Sequence, residues 1–536
     1  MTELQTVAVA IGNVMIGKDH PIAIQSMTNT ATEDIEKTVD QIEKLSDAGC
    51  DIVRLAVQSQ KQVDSLKEIK KKLLEKNIKI PLVADIHFYA QAAIEAAKTV
   101  DKVRINPGNF TTALRNENLS KLEAIEAIEK ASLPLIEICK EKKVAIRIGV
   151  NHGSLSPYIL KHFGNTAEGM VASALDFLEV FEKHGFQNLV FSMKASSVKI
   201  MIKAYQLLVD KMLARKKIYP LHLGVTEAGE GFEGRIKSFA GIGGLLLSGI
   251  GDTIRVSLTE DPINEIAAAK KLIEDCQNIQ RQAGIYSSLS PISIEKQMDP
   301  ISGFFSVEPN VLDENSYFLS KDSKAIRSKS QFVFDNKENV YLNSEKHIIA
   351  PFGHHLMQKE NLAVICPLNF SFMSKLKEEI QKKKSNARIL LQLTGDDFLQ
   401  FAPLGLLLLD ESIQGICIDS SKSFKEDEHF LHTLYQALGL KRFHAEYISC
   451  PGCGRTKYDL QKLAREVKEN TQKYSHLKFA VMGCIVNGLG EMADADFGFI
   501  GSKQDHVHLY HKKNCLLKDI PVEKALEKLL SILEEK

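Results

Sequence analysis

Four residues near the C-terminus have types and spacing that suit metal or redox chemistry. Cys450 and Cys453 form a Cys-x-x-Cys pair in ISCPGCGRTKYDL. Thirty residues separate that pair from Cys484 in MGCIVNGLGE, and six more separate Cys484 from Glu491. The run between the cysteines reads as a helix followed by a strand, so the two cysteine loops are expected to be neighbouring strand-to-helix turns that face one another. Gly452, Gly454, Gly483, Gly488 and Gly490 allow backbone amides to approach a bound group and stabilise thiolate or sulfide charge. A structural zinc site closes four ligands, and Cys515, His506, His508 or His511 could supply the fourth. A redox dithiol explains Cys450 and Cys453 but leaves Cys484 idle. Three thiolates with a Cys-Pro neighbour suit an iron–sulfur cluster in which one iron keeps a weaker ligand. The spacing favours the cluster and leaves zinc and the dithiol open.

A second set of residues is basic. Arginine sits between aliphatic residues in Val53-Arg54-Leu55, Val103-Arg104-Ile105, Ile146-Arg147-Ile148 and Ile254-Arg255-Val256, and Lys194 closes a fifth apolar run. Asp85, His87, Asn106, Asn151, Ser196, Thr226 and Glu227 lie beside them in sequence. Cations gathered at one mouth repel each other and are costly to desolvate unless an anion meets them. Asp85 and Glu227 are the main local carboxylates, so the pattern points to a bound polyanion such as a phosphate or diphosphate. Guanidinium forks suit its oxygens. The competing reading is a ring of internal salt bridges. His87 alone reads as a hydrogen-bonded strand-end residue rather than a metal ligand.

The elements that must position these residues repeat along the first half of the chain. Short β-branched runs at 21–27, 51–57, 81–87, 102–109, 144–151, 189–196, 220–229 and 252–258 each end in polar residues and are followed by amphipathic stretches. Examples are EDIEKTVDQIEKLSDAG, SVKIMIKAYQLLVDKMLA and DPINEIAAAKKLIEDC. Eight βα units in about 250 residues predict an α/β fold with an N-terminal (β/α)8 TIM barrel, with chemistry at the carboxyl ends of the strands. An open doubly wound sheet is the alternative. TVAVAIGNVMIG predicts a hairpin turning near Gly12-Asn13 that plugs the barrel bottom.

The rhythm breaks near residue 280 in Ser- and Lys-rich stretches, and later apolar runs predict a middle α/β insert acting as a spacer. The expected division is a substrate-binding barrel at 1–278, the insert at 279–436, and a C-terminal α/β iron–sulfur domain at 437–536. His354, His355, Cys366 and Cys417 read as loop histidines and core cysteines.

Bulk composition narrows the partners. The 536 residues are 44% hydrophobic and 25% charged, with 68 basic and 68 acidic residues. Net charge therefore gives no ground for a nucleic-acid or membrane partner, and an anion site must be local. No apolar run approaches a bilayer span. Nine scattered cysteines suggest reduced thiols, and the N-terminus resembles neither a secretory nor a transit peptide, so a cytoplasmic address is expected.

QSMTNT, VADIHF, VRINPGN, RIGVNHGSL, SMKAS, LGVTEAG and GIGDTIRVSL, followed by CPGCGRT and GCIVNGLGEMADADFG, resemble the 4-hydroxy-3-methylbut-2-enyl diphosphate synthases of the methylerythritol phosphate route. The likeness spans residues 1–275 and about 436–536, and the segment between looks like the extra domain of the large, three-domain form. It implies a 4Fe–4S cluster on Cys450, Cys453 and Cys484, with Glu491 as fourth ligand. It also implies 2-C-methyl-D-erythritol 2,4-cyclodiphosphate as substrate, opened and reductively dehydrated with two electrons. Arg54, Arg104, Arg147 and Lys194 would grip the diphosphate, helped by Asn106, Asn151 and Ser196. Asp85, Thr226 and Arg255 complete the expected substrate-binding set, and Glu227 is the candidate proton donor. Ferredoxin or flavodoxin is the implied electron donor. The two-domain form uses a head-to-tail homodimer, whereas the spacer here suggests closure within one chain. Leu489 stands where the family loop commonly has proline. The rival readings are a non-catalytic phosphate-binding barrel with a zinc module and a pterin-dependent transferase.

Overall fold

The computed structural model describes residues 5–88, 90–283, 424–492 and 495–534, and between 284 and 423 a set of strands and a short helix. Met1–Glu274 and His444–Lys536 form one compact unit, and Asp275–Phe443 forms a second.

In the first unit, a hairpin of β1 (Val9–Ile11) and β2 (Val14–Ile16) precedes eight strands. These are β3 (Ala23–Met27), β4 (Ile52–Ala56), β5 (Leu82–Asp85), β6 (Lys102–Ile105), β7 (Ala145–Asn151), β8 (Leu189–Lys194), β9 (His222–Leu223) and β10 (Thr253–Ile254). All pair in parallel in the order β8-β7-β6-β5-β4-β3-β10-β9. A parallel bridge from Phe191 to Leu221 joins the two ends. The sheet is thus closed, and the open doubly wound alternative falls.

Helices between the strands start where the sequence offers caps. Asp34 accepts from Lys37 N at the head of Ile35–Asp47, which buries Val39, Ile42 and Leu45 on its inner face. Ser120 and Glu123 form a reciprocal capping box at the head of Lys121–Lys142. β9 and β10 are much shorter than the apolar runs around them. At Gly224 a side chain would collide with the Lys194 ammonium, so the backbone beyond β9 opens to admit that residue.

The hairpin seals the amino ends of the strands, as expected. Val9, Ile11 and Ile16 pack with Ala23, Ile52, Val83, Ala145 and Val190. Each such buried valine or isoleucine side chain contributes about 1.5–3 kcal/mol. Above that plug the interior turns polar: Lys102 Nζ donates to Gln25 Oε1 at 3.0 Å and Arg147 Nη1 donates to Ser192 Oγ at 2.7 Å.

The C-terminal part of this unit is a five-stranded sheet, ordered β18 (Glu446–Ser449), β19 (Lys478–Met482), β20 (Phe497–Gly501), β21 (His506–His511) and β22 (Asn514–Pro521). β18, β19 and β20 are parallel, and the last two are antiparallel. Leu460–Thr471 crosses from β18 to β19 and buries Leu463 and Val467.

The second unit holds a seven-stranded mixed sheet: β11 (Tyr317–Ser320), β17 (Ile413–Ser420), β16 (Arg388–Thr394), β15 (Leu362–Pro367), β14 (Glu345–Ala350), β13 (Asn339–Leu342) and β12 (Val333–Phe334). Helices Phe401–Leu407 and Phe424–Ala437 accompany it. His354 and His355 lie outside the described residues, as do the side chains of Cys366 and Cys417.

Candidate active site

Cys450 follows β18 directly, and Cys484 follows β19 after one glycine. Because these two strands are parallel neighbours, their carboxyl ends bring both cysteine loops to the same edge, as the spacing suggests. Cys450, Cys453 and Cys484 border one cavity. Gly483 N donates to Cys450 Sγ at 3.2 Å, and Thr456 Oγ1 accepts from Cys453 N at 3.3 Å.

The cavity lies between these loops and the carboxyl ends of the barrel strands of the same chain, with about 760 Å³ of empty space including its mouth. Met27, Arg54, Asp85, His87, Arg104, Arg147, Asn151, Lys194, Thr226, Glu227 and Arg255 line the barrel side. Most of the polar residues singled out in the sequence therefore converge. Asn106 and Ser196 do not line it: Asn106 is spent on Ser154 Oγ at 2.9 Å and Gly108 N at 3.1 Å, capping the turn after β6.

The basic residues divide by their partners. Arg255 is neutralised by Glu265, with Nε–Oε2 at 3.1 Å and Nη2–Oε1 at 3.0 Å. Arg104 donates to Asp85 Oδ1 at 2.8 Å, His87 Nε2 at 2.5 Å, Gly149 O at 2.9 Å and Asn151 Oδ1 at 3.3 Å. For these two the salt-bridge reading holds. Among the described residues, Arg54, Arg147 and Lys194 have no carboxylate ion-pair partner. Arg54 donates Nε and Nη2 to the Met27 thioether, a weak acceptor, and Arg147 leaves Nε and Nη2 unmatched.

Burial pushes the Arg54 guanidinium down to about 9 against the pull of Asp85, with Arg255 and Arg104 adding to the depression. Burial and the crowd of like charges likewise hold Arg147 and Lys194 well below their ordinary values. An anion in the cavity would relieve all three at once. Burial alone would raise the Asp85 carboxyl, but Arg54, Arg104 and Arg455 hold it well below the usual carboxylate range. Asp85 is therefore a counter-ion to the arginines, not an open substrate contact.

The two acidic residues meet. Glu227 sits at the mouth with φ +49°, a left-handed backbone uncommon for glutamate and typical of functional strain. Its buried side chain hydrogen-bonds the Glu491 side chain, and burial raises its carboxyl while Glu491, Thr226 and Lys194 pull it back. Two carboxyl groups can bond only if one keeps a proton. Glu491 ends the short helix Ile485–Glu491 and arrives by close backbone packing: a Cβ on Gly153 would stand 2.8 Å from Glu491 Cδ.

Sequence reasoning passed over Arg455, Glu265 and Gly153. Arg455 Nη2 donates to Asp85 O at 2.9 Å and Oδ2 at 3.0 Å. Thr259 Oγ1 and Ser449 Oγ share a hydrogen bond of 2.8 Å between the barrel and β18. The available signal for Arg455 was its place two residues after Cys453.

The donor set fits an iron–sulfur cluster. Burial raises the Cys450 thiol, and burial with Cys453 pushes Cys484 up to about 11, so a group that takes thiolates is needed to hold them ionised. The proposed fourth zinc ligands are engaged elsewhere. His506 Nδ1 bonds Gln504 O at 2.7 Å, His508 Nδ1 accepts from Asp519 N at 3.0 Å, His511 packs on Phe497, and Cys515 donates to Leu517 O at 3.5 Å. None of the four lines the cavity.

Comparison with known proteins finds relatives along nearly the whole chain. Residues 6–270 match the GcpE TIM-barrel domain and residues 446–535 match the GcpE protein C-terminal domain. A 4-hydroxy-3-methylbut-2-en-1-yl diphosphate synthase (flavodoxin) from Chlamydia caviae is 37% identical over 596 residues, covering 99% of this chain and 96% of that protein. The enzyme of that name from Protochlamydia amoebophila is 37% identical over 620 residues, covering 98% and 95%. The one from Chlamydia trachomatis serovar D is 38% identical over 600 residues, covering 99% and 97%. These relatives match across the middle segment as well.

Proposed function

The chain belongs to the GcpE family of 4-hydroxy-3-methylbut-2-en-1-yl diphosphate synthases, iron–sulfur oxidoreductases, and on that premise we propose how its residues divide the reaction. The substrate is read as 2-C-methyl-D-erythritol 2,4-cyclodiphosphate. Two electrons and two protons enter, the ring carbon–oxygen bond to phosphate breaks, and one hydroxyl leaves as water. The single observation that supports this most is the meeting, in one cavity, of three cations lacking carboxylate partners with three cysteines.

Arg54, Arg147 and Lys194 bind the diphosphate, because among the described cations lining the cavity they have no carboxylate ion-pair partner. Arg104, held by Asp85, His87, Asn151 and Gly149 O, adds its positive charge to the cavity wall beside the same anion. Arg255, tied to Glu265, shapes the wall rather than holding substrate. Glu227 carries the proton for the departing hydroxyl, since burial keeps its carboxyl protonated higher than a free one. Cys450, Cys453 and Cys484 would hold a 4Fe–4S cluster with Glu491 as an exchangeable fourth ligand. When bound, that cluster supplies single electrons and a Lewis-acidic iron. Ser449–Thr259 and Arg455–Asp85 bind the loops to the barrel.

Flavodoxin, carried in the relatives' names, is read as the electron donor. No helix among the described residues is long and apolar enough to cross a membrane, and we read the address as cytoplasmic. The cysteine loops approach the barrel of their own chain, which supports a site completed without a second subunit. The zinc-module and pterin-transferase readings have no support from the family assignment.

Anaerobically purified protein should be brown, with about four irons and four sulfides per chain. It should turn over the cyclodiphosphate with a strong artificial reductant, and Glu491→Gln should lose that turnover. Colourless protein carrying one zinc would refute the cluster. Activity regained on mixing Arg147→Met with Cys484→Ser chains would refute closure within one chain.

A further inference from the structure

The roles above use only one end of the Arg455 side chain. Arg455 reaches two separate parts of the molecule. Nη2 donates to the Asp85 backbone oxygen at 2.9 Å and to Oδ2 at 3.0 Å, while Nη1 points at Cys453 Sγ from 3.8 Å. At the same time Asp85 Oδ1 accepts from Arg104 Nη1 at 2.8 Å. One carboxylate, 370 residues away in sequence, therefore joins a barrel arginine to the arginine beside a cluster cysteine. Gly454, between Cys453 and Arg455, lies against Thr30 O, where a Cβ would come within 2.5 Å. The loop is thus pressed onto the barrel where the guanidinium crosses.

We propose that Arg455 is a positioning residue that fastens the Cys453 loop to the barrel through Asp85 and, through its donation to Cys453 sulfur, raises the reduction potential of the bound cluster. A cation donating to a ligand sulfur favours the more negative, reduced form, so its removal lowers the potential. Only a planar fork serves Asp85 and Cys453 together, because lysine offers a single point of charge. This rests on the assignment of Cys453 as a cluster ligand.

The test uses holoenzyme of wild type, Arg455→Gln and Arg455→Lys, matched for iron content. Midpoint potential comes from redox titration followed by electron paramagnetic resonance, alongside kcat and KM. In Arg455→Gln the potential is expected to fall and kcat to drop about 10- to 100-fold. KM should change less than kcat, because the phosphate contacts remain. Arg455→Lys should regain part of the potential but little of kcat. If Arg455→Gln does not assemble, the lysine variant decides alone. A wild-type potential in Arg455→Gln, or wild-type potential and kcat in Arg455→Lys, overturns the proposal. Lack of iron and sulfide in the wild type would instead overturn the cluster assignment on which it rests.

Discussion

Gly490 and Gly153 touch backbone to backbone: a Cβ on Gly490 would overlap the Gly153 carbonyl. One glycine belongs to the helix that ends at Glu491 and the other to the turn after β7, so their contact sets how far the Glu491 carboxyl reaches toward Glu227. Neither has a left-handed φ, so alanine is tolerated by the backbone and excluded only by the neighbour. Gly153→Ala should leave the barrel folded and able to bind the cyclodiphosphate. Its kcat should fall on the order of 100-fold, because displacement of about 1 Å at a reacting centre has that cost. Calorimetric binding beside steady-state turnover checks the split; equal loss of both would contradict it.

Glu227→Gln keeps the size and polarity of the side chain and removes the proton it holds against Glu491. Turnover should fall about 10²- to 10⁴-fold, the range for a lost general acid. Substrate binding should stay within a few-fold. A glutamine variant with near-normal kcat would remove Glu227 from the chemistry.

Lys194 is buried among Arg54, Arg147 and Arg255 without a carboxylate partner, so it burdens the empty protein and serves the occupied one. Lys194→Met should raise the thermal midpoint of the substrate-free enzyme, by an amount corresponding to about 1 kcal/mol or more. It should also weaken cyclodiphosphate binding about 10- to 100-fold, the worth of a charge-assisted hydrogen bond. Differential scanning fluorimetry with and without substrate reads both signs together. A destabilised empty protein would mean that Lys194 has a structural partner.

His87 supplies the pH dependence. Burial and Arg104 push its imidazole from an ordinary 6.5 down to about 3, despite the opposing pull of Asp85. Between these values the unfolded chain takes a proton that the folded chain refuses, so stability falls as pH drops from 6.5 toward 3. The slope for one such group approaches about 1.4 kcal/mol per pH unit. His222, also depressed by burial, adds in the same sense. His87→Gln should flatten the dependence of the urea midpoint on pH between 7 and 5. An unchanged slope would show that His87 is protonated in the folded enzyme.

The barrel and the cysteine loops were legible because local periodicity determines which residues face inward and where parallel strands end. Ion pairing was not. Arg255 has the same aliphatic flanks as Arg54 and Arg147, yet Glu265, in the first turn of the following helix, neutralises it. Asn106 looked like a ligand and is a cap, because the turn after β6 needed its carbonyl for Gly108 N. Arg455 and Asp85 pair across most of the chain, a distance at which neither composition nor spacing carries information. The short β9 and β10 had no signal either, since only the position of Lys194 shows why the ladder stops.

The hairpin at the barrel floor has a consequence for the opposite end. With Val9, Ile11 and Ile16 stoppering the amino ends of the strands, the described cavity lies at the carboxyl ends, and the cysteine loops form its roof. The contact of Gly490 with Gly153 lies at that roof, so the packing that places Glu491 also helps to set how wide the cavity stands.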